Sequence, residues 1–292
     1  MAKNNQTEST SADSSKLSCV GYLGPEGTFT HQAALILFGD DVALKGTDII
    51  EDVFELVEKG ECDQGVVPVE NSYEGSVGIT LDLFNRYQPG ICAEFYLKVI
   101  HNLLSSESNI SGIKRIYSHP QAVAQCRRWL RKNLPGIPLA EVSSTSYAAK
   151  LAATEPETGS IGSRFAAETY NLNILSKNIE DNRDNVTRFL VIGNKLTKPT
   201  GSDKTSILFL LKHEPGALYK CLSVLAERKV NMTRIESRPV KTKSWEYLFF
   251  VDLEGHKDEV NIREALQKME AYCVFMKILG SYPCSTEVYG NR

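Results

Sequence analysis

Short apolar runs alternate with longer stretches of helical spacing along the chain before residue 194. The apolar runs predict strands at residues 19–23, 65–69, 114–117, 139–142 and 159–161. Helical patterns follow most of these runs, for example at residues 29–38, 49–59, 77–85, 121–133 and 147–153. Strands that alternate with helices in this way indicate an α/β domain with mainly parallel sheets.

The pattern changes at residues 194–204, NKLTKPTGSDK, a stretch rich in Lys, Thr, Gly and Pro that predicts a linker. Beyond it we predict a strand at 205–211, a helix at 216–229, strands at 231–239 and 244–253, a helix at 259–271 and a strand at 273–280. This βαββαβ order is that of a ferredoxin-like module. Such modules have many functions, so the order alone indicates none of them.

Length and charge narrow the class of protein. The 292 residues, of which 42% are hydrophobic, suggest about two domains with real cores. A formal net charge of −3 gives no indication of nucleic-acid or anionic-membrane binding, and the apolar runs are too short to span a bilayer. The polar start, MAKNNQTESTSADSSK, lacks the apolar core of a signal peptide. We therefore expect a disordered tail at residues 1–17 and a cytoplasmic protein.

The seven cysteines are an odd number, and they are scattered without any CxxC pair. This usage is typical of thiols in a reducing compartment, and it predicts neither a zinc site nor a disulfide framework. No other metal-ligand spacing occurs, so no metal is expected.

Small polar residues stand at five junctions where a predicted strand gives way to a helix. These are GPEGT (24–28), ENS (70–72), SHPQ (118–121), SST (143–145) and GS (162–163). At any single junction such residues are ordinary helix N-caps, with Pro120 a usual first-turn proline. Together they would gather at one edge of a parallel sheet, where helix N-termini favour anions.

The stretch DNVTRFLVIG (184–193) adds a hydroxyl and a guanidinium where a buried strand begins. Because a charge is rarely buried alone, Arg188 either has a structural partner or meets an anionic ligand. A planar guanidinium suits a carboxylate. Phosphate fits almost as well, although no GxxxxGK[ST] loop is present.

Apart from Glu26, only Glu70 and His119 are strongly titratable residues in these junctions. A lone histidine after a strand is more often structural than catalytic. No Cys–His or Ser–His–Asp arrangement follows from the spacing. The residues by themselves predict an α/β domain that binds a small anion, and they leave the reaction open.

Four motifs of the first domain resemble those of prephenate dehydratase: GPEGTFTHQAA (24–34), VPVENSYEGSV (67–77), YSHPQAVAQC (117–126) and NVTRF (185–189). The second domain resembles the ACT regulatory domain, with GAL (216–218) and ESRP (236–239). The resemblance runs in order from about Cys19 to Cys284. The family also exists fused to a chorismate mutase, and with only a short tail before the first strand we expect a monofunctional enzyme.

The resemblance implies a catalytic domain at residues 18–194 with two lobes, similar to periplasmic binding proteins. Residues 19–93 would form most of one lobe and residues 95–179 the other. After the linker at 195–204, the ACT domain would occupy residues 205–285. The implied reaction converts prephenate to phenylpyruvate with loss of water and carbon dioxide, and it needs no cofactor.

The resemblance also implies roles for individual residues. Thr187 would donate to the departing hydroxyl, and Arg188 would bind carboxylate. Because threonine is a very weak acid, we expect help from a relay through His119 or a water held by Glu70. Orienting donors would be Thr28, Asn71, Ser72, Ser118, Gln121, Ser144 and Thr145. Arg164 is interpreted as a solvated helix residue.

For the second domain the resemblance implies feedback inhibition by L-phenylalanine, bound where ACT domains pair in a homodimer or homotetramer. The implied effector site comprises Gly216, Ala217, Leu218, Glu236, Ser237, Arg238 and Pro239. A solvated strand pair is the alternative interpretation of Glu236 and Arg238. Two rival functions remain open: arogenate dehydratase, and a small-molecule sensor without chemistry.

Overall fold

The computed structural model describes residues 17–195, 197–240 and 246–290. Residues 1–16 of the expected tail and the start of the strand predicted at 244–253 lie outside the described residues. Within the described ranges the chain forms sixteen strands and nine α-helices.

The first half contains β1 Cys19–Leu23, α1 Phe29–Phe38, β2 Ala43–Thr47, α2 Ile50–Glu58, β3 Gln64–Asn71, β4 Gly75–Ser76, α3 Gly78–Arg86, β5 Gly90–Lys98, β6 Asn102–Ser105, β7 Arg115–Ser118, α4 Pro120–Gln125, α5 Arg127–Asn133 and β8 Leu139–Glu141. The second contains α6 Thr145–Thr154, β9 Thr158–Gly162, α7 Arg164–Thr169, β10 Asn173–Ser176, β11 Val186–Gly193, β12 Asp203–Leu211, α8 Ala217–Glu227, β13 Met232–Pro239, β14 Tyr247–Glu254, α9 Val260–Glu270, β15 Cys273–Pro283 and β16 Val288–Tyr289.

Two sheets build the first domain, each in its own lobe. The first has the order β16-β5-β11-β3-β1-β2, with β4 paired to β3, and the second has the order β10-β6-β9-β7-β8. The expectation of mainly parallel sheets was wrong, because β11 runs antiparallel to both β3 and β5, and β6 runs antiparallel to β9 and β10. Both sheets are mixed.

The chain crosses between the lobes twice. It leaves the first sheet only after Lys98, the end of β5, and not near residue 94 as expected, and it returns at β11. The two crossing segments are paired: the Val99 N–H donates to the Asn185 carbonyl at 2.8 Å, and the Ile179 N–H donates to the His101 carbonyl at 2.9 Å. These hydrogen bonds form the hinge between the lobes.

Local capping explains several helix starts. The side chains of Thr28, Ser144 and Ser163 accept N–H groups at the starts of α1, α6 and α7. The single helix expected at 121–133 is two, because the chain turns at Cys126. Asp181 accepts from the N–H groups of Arg128 and Trp129 and so caps the second of them.

The third sheet, ordered β13-β14-β12-β15, confirms the predicted βαββαβ module. Its first strand begins at Asp203, inside the stretch expected to be linker. One face packs on α8 and α9 through residues such as Ile207 and Val251. The other face packs on the first lobe, where Leu208 and Phe250 share a core with the residues of α2 and α3.

The cysteines depart from expectation at one point. Cys19 and Cys62 are joined by a disulfide, whereas no disulfide was predicted. Within the described ranges the other five are free, and all but Cys284 are buried. The same ranges hold no cluster of metal-ligating side chains and no helix long and apolar enough to cross a membrane.

Candidate active site

A cleft of about 480 Å³ lies between the two lobes. The first lobe lines it with Leu23, Thr28, Phe29, Thr30, Asn71, Glu74, Gly75, Ser76, Val77 and Thr187. The second lobe contributes His119, Gln121, Ala122, Gln125, Ser143, Ser144 and Thr145, and the crossing segments contribute Val99, His101 and Asn185. The structure therefore brings together seven of the predicted site residues: Thr28, Asn71, His119, Gln121, Ser144, Thr145 and Thr187.

Helix N-termini from both lobes border the cleft. Helix α1 begins beside Thr28, and α6 begins beside Ser144; both capping residues line the cleft. Its described lining includes no lysine and no arginine. An anionic ligand would meet free N–H groups, the helix dipole and neutral hydroxyls here, together with the carboxylate of Glu74.

The Thr187 hydroxyl has a defined orientation. Asn71 Nδ2 donates to Thr187 Oγ1 at 2.9 Å, so the oxygen is an acceptor toward the protein. The hydroxyl proton is then available to a group in the cleft. This geometry makes Thr187 a hydrogen-bond donor to a ligand.

A chain of side-chain amides continues from Asn71 into the second lobe. Asn71 Nδ2 also donates to Asn185 Oδ1 at 2.7 Å, and Asn185 Nδ2 donates to Gln125 Oε1 at 2.9 Å. His101 Nε2 lies 3.0 Å from the same Gln125 oxygen. Because that oxygen can only accept, His101 carries its proton on Nε2.

His101 is buried, and burial lowers its pKa to about 4. The imidazole is therefore neutral at neutral pH. Its Nδ1 has no hydrogen-bond partner among the described residues. The Phe29 ring meets it edge-on, with ring centroids 6.0 Å apart.

Arg188 does not lie in the cleft, which overturns the expectation that it binds a substrate carboxylate. Successive residues of a strand face opposite sides of a sheet, so Arg188 points away from the side that Thr187 faces. It is 5% exposed, and it donates to Glu94 at 2.9 Å, to Asp252 at 2.6 Å and to the Tyr282 hydroxyl at 3.1 Å. Burial alone would lower the pKa of Arg188, but Tyr282, Asp252 and Glu94 outweigh burial and raise it.

Three further predicted residues lie outside the cleft lining. Glu70 faces the same side of the sheet as Arg188 and lies 3.5 Å from Arg234 of the ACT domain, so it cannot hold a water in the cleft as expected. Ser72 donates to the Asp184 carbonyl and accepts from the Val186 N–H. Ser118 is fully buried and bonds to the Ile161 carbonyl.

Sequence reasoning missed Asn185, Gln125 and His101. Two of them carried a usable signal. Asn185 precedes Thr187 by two residues, the spacing of one strand face, and Gln125 follows Gln121 by four, the spacing of one helix face. His101 lies in a crossing segment with neither periodicity.

The predicted effector residues divide between two faces of the ACT sheet. Gly216 adopts a positive φ of 77° at the start of α8, and Ser237 pairs with Phe249, which packs on the same core as that helix. Glu236 and Arg238 instead face the first lobe, where they bond to Ser76 and Asp82. The latter two are therefore not a solvated strand pair.

Family models match two segments of the chain: prephenate dehydratase at residues 20–197 and the ACT domain at residues 205–271. The first match covers more than half of the chain. The chain belongs to the prephenate dehydratase family. It is a lyase of the decarboxylating dehydration type, with an ACT domain following its catalytic domain.

Individual members of the family can be aligned with most of this chain. The bifunctional chorismate mutase/prephenate dehydratase of Aquifex aeolicus is 51% identical, and the match covers 90% of this chain and 73% of that protein. The prephenate dehydratase of Methanocaldococcus jannaschii is 42% identical, with 90% and 97% covered. A solved prephenate dehydratase from Arthrobacter aurescens, in complex with L-Phe, is 34% identical with a TM-score of 0.84, covering 91% of this chain and 90% of that one.

Proposed function

We propose that the cleft between the lobes binds prephenate and converts it to phenylpyruvate, and that L-phenylalanine acts through the ACT domain to inhibit this step. In the reaction the bond between the ring and its carboxylate breaks, and carbon dioxide leaves. The freed electron pair forms a ring double bond, and the C4 hydroxyl departs with a proton as water. Aromatisation drives both losses, so the proposed chemistry needs no redox cofactor.

The observation that carries this proposal is the hydrogen bond from Asn71 to Thr187 Oγ1. It leaves the Thr187 proton to donate to the departing hydroxyl, and that bond strengthens as the oxygen becomes hydroxide-like. Because threonine is a very weak acid, the proton that completes water comes from elsewhere. His119, which lines the cleft, is the proposed source, and Glu70 is not, because it faces away.

The two substrate carboxylates are proposed to bind at the N-termini of α1 and α6. Thr28 and Ser144 mark these helix starts, and Gln121 and Thr145 add polar groups from the second lobe. The described lining holds no guanidinium and does hold the Glu74 carboxylate, so we assign the attraction for the substrate to the helix dipoles and N–H groups. A substrate bound at both helices would draw the lobes together.

For regulation, we propose that L-phenylalanine binds near Gly216–Leu218 and Glu236–Pro239 where ACT domains pair in a homodimer or homotetramer. The L-Phe complex of the Arthrobacter relative supports a small-molecule effector. Gly216 lies exposed at the start of α8 with nothing within 4 Å of a Cβ, so its backbone is open to a close approach. We also propose that the protein works in the cytoplasm.

The test measures turnover of prephenate and of arogenate by the full chain, with and without L-phenylalanine. We expect prephenate to react and the effector to slow it. Thr187→Val keeps the branched shape and removes the hydroxyl, and it should lower kcat by about 100-fold or more. Thr187→Ser keeps the hydroxyl and is the matched control.

Three other outcomes would change the proposal. Unchanged turnover by Thr187→Val removes the assignment of Thr187. Preference for arogenate makes the enzyme an arogenate dehydratase. Binding of L-phenylalanine without turnover of either substrate identifies a sensor.

A further inference from the structure

We propose that Asn185 is a positioning residue for the dehydration: it holds Asn71 so that the Thr187 proton points into the cleft, and it links this orientation to the second lobe. The inference rests on the proposed function of the cleft. It assigns a role to a buried residue that neither binds a predicted carboxylate nor donates to the leaving group.

Asn71 has a fixed amide orientation. Its Oδ1 accepts from the backbone N–H groups of Tyr73 and Glu74, each at 3.0 Å. Its nitrogen must therefore face β11, where one N–H is directed to Thr187 Oγ1 and the other to Asn185 Oδ1. With Asn185 as acceptor, both protons of the Asn71 amide have a partner.

Asn185 also has only one workable orientation. It is 4% exposed, and its backbone carbonyl accepts from the Val99 N–H. A flipped side chain would place its own NH₂ against the NH₂ of Asn71. Its Nδ2 must therefore point to Gln125, which accepts it at 2.9 Å.

Hydrogen bonds of fixed direction thus link four residues across the hinge: Thr187, Asn71, Asn185 and Gln125. Asn71 belongs to the first lobe, Asn185 to a crossing segment, and Gln125 to the second lobe. Every orientation follows from the backbone turn after Asn71, and none can reverse alone. The Thr187 hydroxyl is therefore oriented as a donor to the cleft when the second lobe is in place. Asn185 is the residue that connects Asn71 of the first lobe with Gln125 of the second.

The substitution Asn185→Asp tests this directly. The introduced carboxyl group, when ionised, still accepts from Asn71 but sets an oxygen without a proton against the Gln125 oxygen, whereas its protonated form restores the donor. The ratio of kcat for this variant to kcat for the parent should therefore rise as the pH falls from about 8 to about 5. A residue that only stabilised the fold would instead change the fraction of folded protein with pH, which circular dichroism at each pH detects.

Asn185→Ala is the second variant. It should lower kcat at least about tenfold and change KM less than about threefold, because the lost alignment matters in the transition state. If Asn185→Asp does not fold, the inference is tested by whether Asn185→Ala changes kcat and leaves KM nearly unchanged. Circular dichroism of each variant checks folding.

The control is Asn102→Asp. Asn102 is equally buried, donates to the Gly162 carbonyl and accepts from the Asn178 N–H, away from Thr187. The ratio of kcat for Asn102→Asp to kcat for the parent should not depend on pH. A flat ratio for Asn185→Asp, or a loss confined to KM in Asn185→Ala, overturns the inference. Failure of the parent protein to react with prephenate instead overturns the proposed function.

Discussion

Thr187 and Arg188 are adjacent in the sequence, yet they serve different parts of the molecule. Thr187 faces the cleft, whereas Arg188 meets Glu94 on β5 and Asp252 on β14. The sequence alone was compatible with a structural partner for Arg188 and with an anionic ligand. Strand alternation is the physical rule that separates the two side chains, and the partners that decide between the alternatives are far apart in the sequence.

Substitution of Arg188 should lower the stability of the protein and have little effect on substrate binding. Arg188→Lys keeps the charge but cannot form the same planar fork, so it should lower the free energy of unfolding by about 2 kcal/mol or more. KM for prephenate should change less than about threefold. Urea unfolding and steady-state kinetics measure the two effects.

Arg164→Lys provides the control, because Arg164 is exposed and pairs with Glu168 on the surface of α7. Its stability should change by less than about 0.5 kcal/mol. A tenfold rise in KM for Arg188→Lys, with stability unchanged, would restore Arg188 as the carboxylate ligand.

Among the elements, those with clean periodicity could be predicted from the sequence. Helix α1 was predicted with its observed limits, and β1 likewise. Strand β5 was missed because Glu94 interrupts its apolar pattern. That carboxylate is buried only because Arg188 and Lys204 surround it, a fact that local sequence does not contain.

The candidate site was predictable to the extent that it depends on local spacing. Strand-to-helix junctions placed Asn71, Gln121 and Ser144 at the cleft, as the positions of strand ends and helix starts require. Ser118 and Glu70 come from the same junctions but point elsewhere. Which side chain of a junction faces the cleft depends on strand register, and register is set by pairing between distant segments.

One contact between elements connects the cleft to the predicted effector strand. Ser76, in β4, lines the cleft. Its hydroxyl donates to Glu236 at 2.9 Å and accepts from Arg234 at 2.7 Å, both on β13. A shift of β13 would therefore move a residue of the cleft wall.

Ser76→Ala should weaken the coupling between L-phenylalanine and prephenate. We compare KM for prephenate with and without saturating L-phenylalanine. The ratio of the two values should be closer to one in Ser76→Ala than in the parent, by about threefold or more. Ser108→Ala, on the exposed surface of the second lobe, should leave the ratio unchanged. An undiminished ratio in Ser76→Ala would show that regulation does not pass through this contact.

At the scale of the whole molecule, the ACT sheet is a middle layer. Its helices cover one face and the first lobe covers the other, so the central strands β12 and β14 carry apolar residues on both faces. The run ILFLL in β12 is apolar at every position, but a run of apolar residues does not show which element covers each face of the strand. The sequence therefore predicted two domains and did not reveal that they share a core.

The shared core has its tightest point where β5 and β15 cross. A Cβ on Gly280 would collide with the Ile91 carbonyl oxygen, and one on Gly90 would lie 2.6 Å from the Leu279 carbonyl oxygen. Both contacts are with backbone, which no side-chain rotation can relieve. The close approach of the two domains thus depends on glycine in both strands.

Gly280→Ala should therefore destabilise the first lobe together with the ACT domain. We expect a loss of about 2 kcal/mol or more in the free energy of unfolding, since β15 must move off β5. Hydrogen exchange should increase in both β5 and β15, because the strands are buried against each other. Gly290→Ala, where a Cβ meets nothing within 4 Å, should change neither quantity. Faster exchange confined to the ACT strands would mean that the domains are stable independently and that the shared core contributes little to their cohesion.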